Sequence, residues 1–249
     1  MLNGLDLFAG CGGTTLALAG YVTPISYCEI DPNNQQRLLC RMSEGKLPIA
    51  PIWDDITTLQ GWELRGLIDI ILATWPCQGN STAGSHRGNN DPRSGLLQEV
   101  LRLASEIRPP FIFFENVTGV RNKQLDTLGE GMARLGYNFE WDIISAKEVG
   151  ADHQRKRFFA LAHLDSNGFC KETYALTEKN LERIGKDYRG PVPASYISDR
   201  RAYPPALCGS PDVVPNRMDR VDCMGQAVVP HQAREAFERL AGLKSVALN

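Results

Sequence analysis

Short apolar runs that end in glycine or a polar residue, separated by stretches of helical period, constrain this chain more than any other feature. Residues 4–8, 24–29, 67–74 (LIDIILAT) and 110–117 (PFIFFENV) read as strands, being short, apolar and bounded by turn residues. Between them, residues 14–19 start a helical pattern, and Asp31-Pro32 supplies an N-cap and first-turn proline for a helix through about Met42. Asp91-Pro92 caps another helix, with Leu96, Leu97, Val100, Leu101 and Ala104 at helical spacing. Residues 124–135 read as helix, and 139–146 and 158–164 as a late pair of strands. Such alternation predicts an α/β fold, a sheet with helices on both faces. After about Leu164 the pattern breaks. Six of the 15 prolines (Pro191, Pro193, Pro204, Pro205, Pro211, Pro215) fall between Tyr188 and Asn216, a density that forbids long regular elements. Helical periodicity returns at 231–240, so a small irregular insert divides the sheet domain from its last helix.

A length of 249 residues allows one large domain, or one domain plus a small appendage. With 43% hydrophobic and 22% charged residues the balance is that of a globular protein. No apolar run approaches the ~20 residues of a membrane span. Met1-Leu2-Asn3-Gly4 lacks the basic start of a secretory signal, so a cytoplasmic location is expected. The 7 cysteines form no C-x-x-C pair; they read as reduced thiols and exclude a zinc ribbon or disulfide scaffold, and no metal is expected. The net charge of −2 hides a gradient: residues 1–150 carry 12 basic against 17 acidic side chains, and 151–220 carry 12 against 9. That fits either a face meeting phosphates or a solvated mixed-charge surface.

Four places carry chemistry. Asp6-Leu7-Phe8-Ala9-Gly10-Cys11-Gly12-Gly13 is a glycine-rich turn after the first strand, where a ligand can approach the backbone at the carboxyl edge of the sheet. Glu29 ends the second strand, in the place of a carboxylate that accepts ribose hydroxyls; tight-packing glycines and a surface Glu remain the plain alternative. The spacing is not G-x-G-x-x-G, which disfavours a nicotinamide dinucleotide. Trp75-Pro76-Cys77-Gln78 follows LIDIILAT, so the Cys77 thiol either faces the same edge or fills the core as a small hydrophobe. Glu115 closes an apolar strand, where desolvation would raise its pKa and keep a proton for a ring nitrogen. In His153-Gln154-Arg155-Lys156-Arg157, alternation puts Arg155 and Arg157 on one face, suited to an oxyanion, carbonyl or phosphate, or simply to solvent.

The order and spacing of these pieces resemble the DNA (cytosine-5)-methyltransferase family in its short bacterial or phage form. The matching motifs are DLFAGCGG at 6–13, Glu29, DDI at 54–56, PCQ at 76–78, ENV at 115–117, R-x-R-F-F at 155–159 and GQAVVP at 225–230. The likeness runs from residue 4 to about 240, apart from 165–210. It implies the S-adenosylmethionine-dependent methyltransferase (Rossmann-like) fold, with a mixed sheet. Residues 1–164 and 217–249 would form the catalytic and cofactor-binding domain, and 165–216 the target-recognition segment.

It implies S-adenosylmethionine as cofactor and S-adenosylhomocysteine as product, with no metal. The cofactor would be held by Phe8, Ala9, Gly10, Gly12 and Gly13, by Glu29 and Ile30, and by Asp55 and Ile56 at the adenine. Pro76, Leu96, Gln226 and Val228 would line the rest. Cys77, Glu115, Arg155 and Arg157 would be catalytic. Gln78, Ser81, Arg87, Asn116, Val117 and His153 would meet the flipped cytosine or its DNA. Residues 79–91, rich in Ser, Gly and Asn, resemble the family's mobile catalytic loop. His153, Gln226 and Asn80 depart from the usual Gln, Asn and Phe. The implied partner is double-stranded DNA, with a cognate restriction endonuclease left open and a monomer expected. Tyr174, Tyr188, Tyr196, Tyr203, Arg183, Arg189, Arg200 and Arg201 are candidates for base and phosphate contacts, enough to specify about two to four base pairs. RNA as substrate and a non-catalytic DNA-binding relative are the competing readings.

Overall fold

Five of the six residues of β1 (Leu2–Leu7) are buried, as expected of a strand covered on both faces. The structure is a computed structural model and describes residues 1–76, 95–164 and 228–243. The other strands are β2 (Val22–Cys28), β3 (Ile52–Trp53), β4 (Ile70–Ala73), β5 (Phe111–Val117), β6 (Tyr137–Ser145) and β7 (Lys156–Leu164). They form one sheet in the order β3-β2-β1-β4-β5-β7-β6. β1 to β5 run parallel, while β7 is antiparallel to both β5 and β6. The mixed sheet is therefore as expected. Because the chain winds outward from β1 to β3 and then restarts at β4, the strand order reverses between β1 and β4, where open α/β sheets hold ligands.

The period of two in the sequence sorts the two faces. Ile71, Ala73, Ile112, Phe114, Phe158 and Ala160 pack with α3 (Leu96–Ile107) and α5 (Leu125–Arg134). Their neighbours Ile70, Leu72, Phe111, Phe113, Phe159 and Leu161 pack with α1 (Gly13–Ala17) and α6 (Pro230–Leu240). α2 (Pro32–Ser43) begins as its sequence predicts, with Pro32 in the first turn and the Asp31 carboxylate accepting the Asn33 N–H at 2.7 Å.

The differences are local. β2 starts before Pro24, which lacks an N–H; the pairing with β1 slips there, Gly4 facing Pro24 and Leu5 facing Ser26. β3 has two residues, too few to show a pattern. α4 (Val120–Lys123), a single turn, was equally unreadable. α3 begins after Gly95; Asp91-Pro92 lies outside the described residues, as does the whole of 165–216.

Gln232 of α6 is fully buried, and its Nε2 donates to the carbonyls of Ile144 at 2.5 Å and Arg155 at 2.7 Å. It ties the last helix to the strand that carries Arg157. Gln232→Leu is expected to lower unfolding free energy by about 2–3 kcal/mol, measured by urea denaturation, because buried carbonyls lose a donor.

Candidate active site

Register across the sheet lines up Cys28, Leu7, Ala73 and Phe114. The next residues along the chain, Glu29, Phe8, Thr74 and Glu115, therefore form a rim at the carboxyl edge. Four motifs far apart in sequence meet there.

At the glycine turn, Phe8 has φ 57°, Gly10 55° and Gly12 79°, a left-handed path that costs little for glycine and is strained for Phe8. Thr74 steadies Phe8 by donating its hydroxyl to the Phe8 carbonyl at 3.0 Å. Ala9 is buried, its N–H on the Cys28 carbonyl at 3.1 Å. The buried Arg41 guanidinium donates to the Cys11 carbonyl. Added side chains at Gly12 and Gly13 would meet Leu47 and Val228 respectively, so Val228 backs the turn from the C-terminal side. Asp6 lies beneath, fully buried, accepting the Thr15 hydroxyl at 2.6 Å. Burial pushes its carboxyl up to about 7 against that hydrogen bond, and the Glu29 charge adds to the rise.

Glu29 is buried yet keeps capacity to accept. Its Oε2 takes the Gly10 N–H at 2.7 Å and its Oε1 the Asp31 N–H at 2.9 Å, one bond each where an oxygen can take two. Gln35 fixes the same residue by donating to its carbonyl at 2.6 Å. Beside it, Ile30 is 69% and Trp53 43% exposed, apolar surface that a planar ring would cover. In the next turn, Asp55 Oδ1 accepts the Thr57 N–H at 2.9 Å and hydroxyl at 2.8 Å. Those bonds hold the Asp55 carboxyl below the usual range, hence ionised. Ile56 points into the core, so Asp55 is the open polar group of the pair.

The chain entering Cys77 is held from β5 and the turn after α4. Asn116 Nδ2 donates to the Trp75 carbonyl at 3.0 Å, and the Trp75 indole donates to Gln124 Oε1 at 3.1 Å. Asn116 Oδ1 also accepts the Val117 N–H at 2.8 Å, so this amide, expected on substrate, is engaged with backbone. Pro76 is half-buried, and Leu96 packs against the α3 side of the core. Cys77, Gln78, Ser81, Arg87 and Gln226 lie outside the described residues.

Glu115 is buried, and Arg157 Nε stands 3.1 Å from its Oε1. Burial pushes the carboxyl up to about 7, while the Arg157 and Arg155 charges pull it back. The alternation holds: His153, Arg155 and Arg157 are half-buried, Gln154 and Lys156 exposed. Val117 faces Arg157 across the strands. Thr74, Gln124, Arg41 and Gln232 were not foreseen, since a Thr at a strand end and polar residues on helices read as solvated. Among the described residues no group of His, Cys, Asp or Glu is arranged to hold a metal, and no helix is long and apolar enough to cross a membrane.

Comparison with known proteins points the same way. The family model for C-5 cytosine-specific DNA methylase matches residues 2–197. Type II methyltransferase M.CviJI of Paramecium bursaria Chlorella virus IL3A is 35% identical over 239 residues, 95% of this chain and 58% of its own. Type II methyltransferase M2.BsuMI of Bacillus subtilis is 33% identical over 172 residues, 64% of this chain and 41% of its own. Among solved structures, S. pombe Dnmt2 methyltransferase has TM-score 0.55 at 24% identity, over 68% of this chain and 52% of that one. A putative DNA modification methyltransferase encoded within an E. coli prophage has TM-score 0.54 at 26%, over 66% and 47%. The chain thus spans about half the length of these relatives.

Proposed function

Since this chain belongs to the C-5 cytosine-specific DNA methylase family, we propose that it methylates carbon 5 of cytosine in duplex DNA, using S-adenosylmethionine. The observation that carries the reading is Glu115: a buried carboxyl with a pKa near 7, against Arg157, on the same rim as the glycine turn and the strand that leads to Cys77. An acid tuned to neutral pH at that position is what activation of a pyrimidine requires.

The rim fits the cofactor. Glu29 has lone pairs left for ribose hydroxyls, Ile30 offers apolar surface to an adenine face, and Asp55 stays ionised to accept from the adenine amino group. The turn at Phe8, Gly10 and Gly12, with Val228 behind Gly13, would hold the methionine end, and Leu96 would line the site. When bound, S-adenosylmethionine supplies an electrophilic methyl group.

Carbon 5 of cytosine is a poor nucleophile. The Cys77 thiolate would add to carbon 6, breaking the 5,6 double bond and moving its electron pair towards carbon 5 and the ring. Glu115 gives its proton to ring nitrogen 3 as charge develops there, and Arg157 stabilises the carboxylate left behind. Once carbon 5 carries the methyl, transfer of its proton to water and departure of Cys77 as thiolate restore the 5,6 double bond, and nitrogen 3 returns its proton to Glu115. A base stacked in a duplex cannot reach such a rim, so the cytosine would be flipped out. Residues 165–216 would choose the site, with a cognate endonuclease and a cytoplasmic setting following if the protein works as a restriction–modification methyltransferase.

The test is transfer of a labelled methyl group to unmethylated duplex DNA and, in parallel, to transfer RNA. Label at carbon 5 of cytosine in DNA, mapped by bisulfite to a site of about two to four fixed base pairs, is expected. Label on RNA alone, or on neither with the cofactor bound, overturns the proposal.

A further inference from the structure

Arg102, on the outer face of α3, is flanked one turn away on each side by Glu99 and Glu106. Its Nε donates to Glu99 Oε2 at 2.8 Å, and its Nη1 to Glu106 at 2.9 and 3.0 Å. By sequence this is a pair of helix-surface ion pairs, and such pairs contribute little alone. The structure adds two further bonds: Nη1 donates to the Leu59 carbonyl at 3.0 Å and Nη2 to the Ile56 carbonyl at 2.8 Å. The two carboxylates thus orient a rigid fork whose remaining donors close on the turn that follows Asp55.

Ile56 and Leu59 anchor that turn in the core, and the Trp53 indole donates to the Asp55 carbonyl at 3.0 Å and to Thr58 Oγ1 at 2.9 Å. Arg102 adds the bonds that tie the Ile56 and Leu59 carbonyls to α3. The turn's own backbone bonds are Thr58 N–H to the Asp55 carbonyl at 3.0 Å and Leu59 N–H to the Ile56 carbonyl at 3.3 Å. Glu106 extends the same clamp by accepting the Gly61 N–H at 2.8 Å. Asp55 itself is bonded through Oδ1 to Thr57, within the turn, so the place of its carboxylate is set by the place of the turn. Hydrogen bonds weaken steeply with misalignment, so a small displacement of Asp55 would be felt by any donor it meets.

We propose that Arg102 is a positioning residue for cofactor binding, fixing Asp55 at the adenine end by holding the Ile56 and Leu59 carbonyls from α3. This rests on the reading of the rim as an S-adenosylmethionine site. Lys at this position keeps one charge but is a single point donor, unable to hold two carboxylates and two carbonyls together.

The experiment is calorimetric titration of S-adenosylhomocysteine, and of adenosine alone, into the intact protein and its Arg102→Lys, Asp55→Ala and double variants. Thermal melts confirm that each is folded at the titration temperature. Arg102→Lys is expected to weaken both ligands about tenfold, adenosine as much as S-adenosylhomocysteine, because the loss lies at the adenine end. In the Asp55→Ala background the same substitution should have no further effect, since its route to the ligand is gone. A merely structural role would leave the two losses additive, and that result overturns the proposal. Unchanged affinity in Arg102→Lys, with tight binding by the wild type, also overturns it while leaving the cofactor reading intact. No binding by the wild type would overturn the cofactor reading itself.

Discussion

Cys77→Ala should abolish methyl transfer, lowering single-turnover rates on duplex DNA by on the order of 10⁴-fold or more. Without a nucleophile at carbon 6, carbon 5 has no electron density to offer, and the remaining groups cannot replace that step. The groups placed to hold the cofactor are in the turn after β1, at Glu29 and Ile30 after β2, in the turn at Asp55, and at Leu96 and Val228, and residue 77 is not among them. Affinity for S-adenosylhomocysteine should therefore stay within about twofold of wild type. A DNA duplex carrying 5-fluorocytosine gives a second readout, because fluorine cannot leave as the carbon-5 proton does. Wild-type protein should form a denaturant-stable adduct with it, and the variant none. A variant retaining more than a small fraction of the rate would remove the thiol from the mechanism.

Glu115→Gln is the second large effect, expected to lower kcat by about 10²- to 10³-fold, since an amide can hydrogen-bond to nitrogen 3 but cannot protonate it. The pH dependence identifies the group. Glu115 must carry its proton to act, and its pKa in the free protein is pushed up to about 7, so wild-type kcat/KM should fall as the pH rises through about 7. The residual rate of the variant should show no such limb. Stability has a matching sign. A carboxyl whose folded pKa lies above the ordinary 4.5 binds its proton more tightly folded than unfolded. Its contribution is fully present below the unfolded value and is lost as the pH rises through about 7. Burial outweighs the pull of Arg157 and Arg155, which is the circumstance in which a buried ion pair gains little over a neutral substitute. Between about pH 5 and pH 8 the melting temperature of the wild type should fall relative to that of the variant, since the wild type alone pays for ionising Glu115.

Some of this was legible from local sequence. The near-continuous burial of β4 and β5 matches their short, unbroken apolar runs, and the alternation of such strands with helices predicted a sheet covered on both faces. The Asp31 cap depends on residues two and three positions away, and it formed as read. Arg155 and Arg157 share a face for the same short-range reason. The motifs, taken in order, identified the family. Each of these properties is settled within a few residues, where the chain's own geometry leaves few choices.

Tertiary structure alone decided which distant residues meet. The order β1-β4-β5 and its register placed Phe8, Thr74 and Glu115 in one row, and no local pattern specifies register between parallel strands joined by helices. Only the fold set the Asn116 amide against the Trp75 carbonyl, 41 residues away. Arg102 and Gln232 sit on amphipathic helices, where a polar side chain reads as solvated, yet one clamps the turn after Asp55 and the other is sealed against β6 and β7. Where such a side chain ends is decided by whichever backbone carbonyls the fold leaves facing it, and those partners lie 46 and 88 residues away.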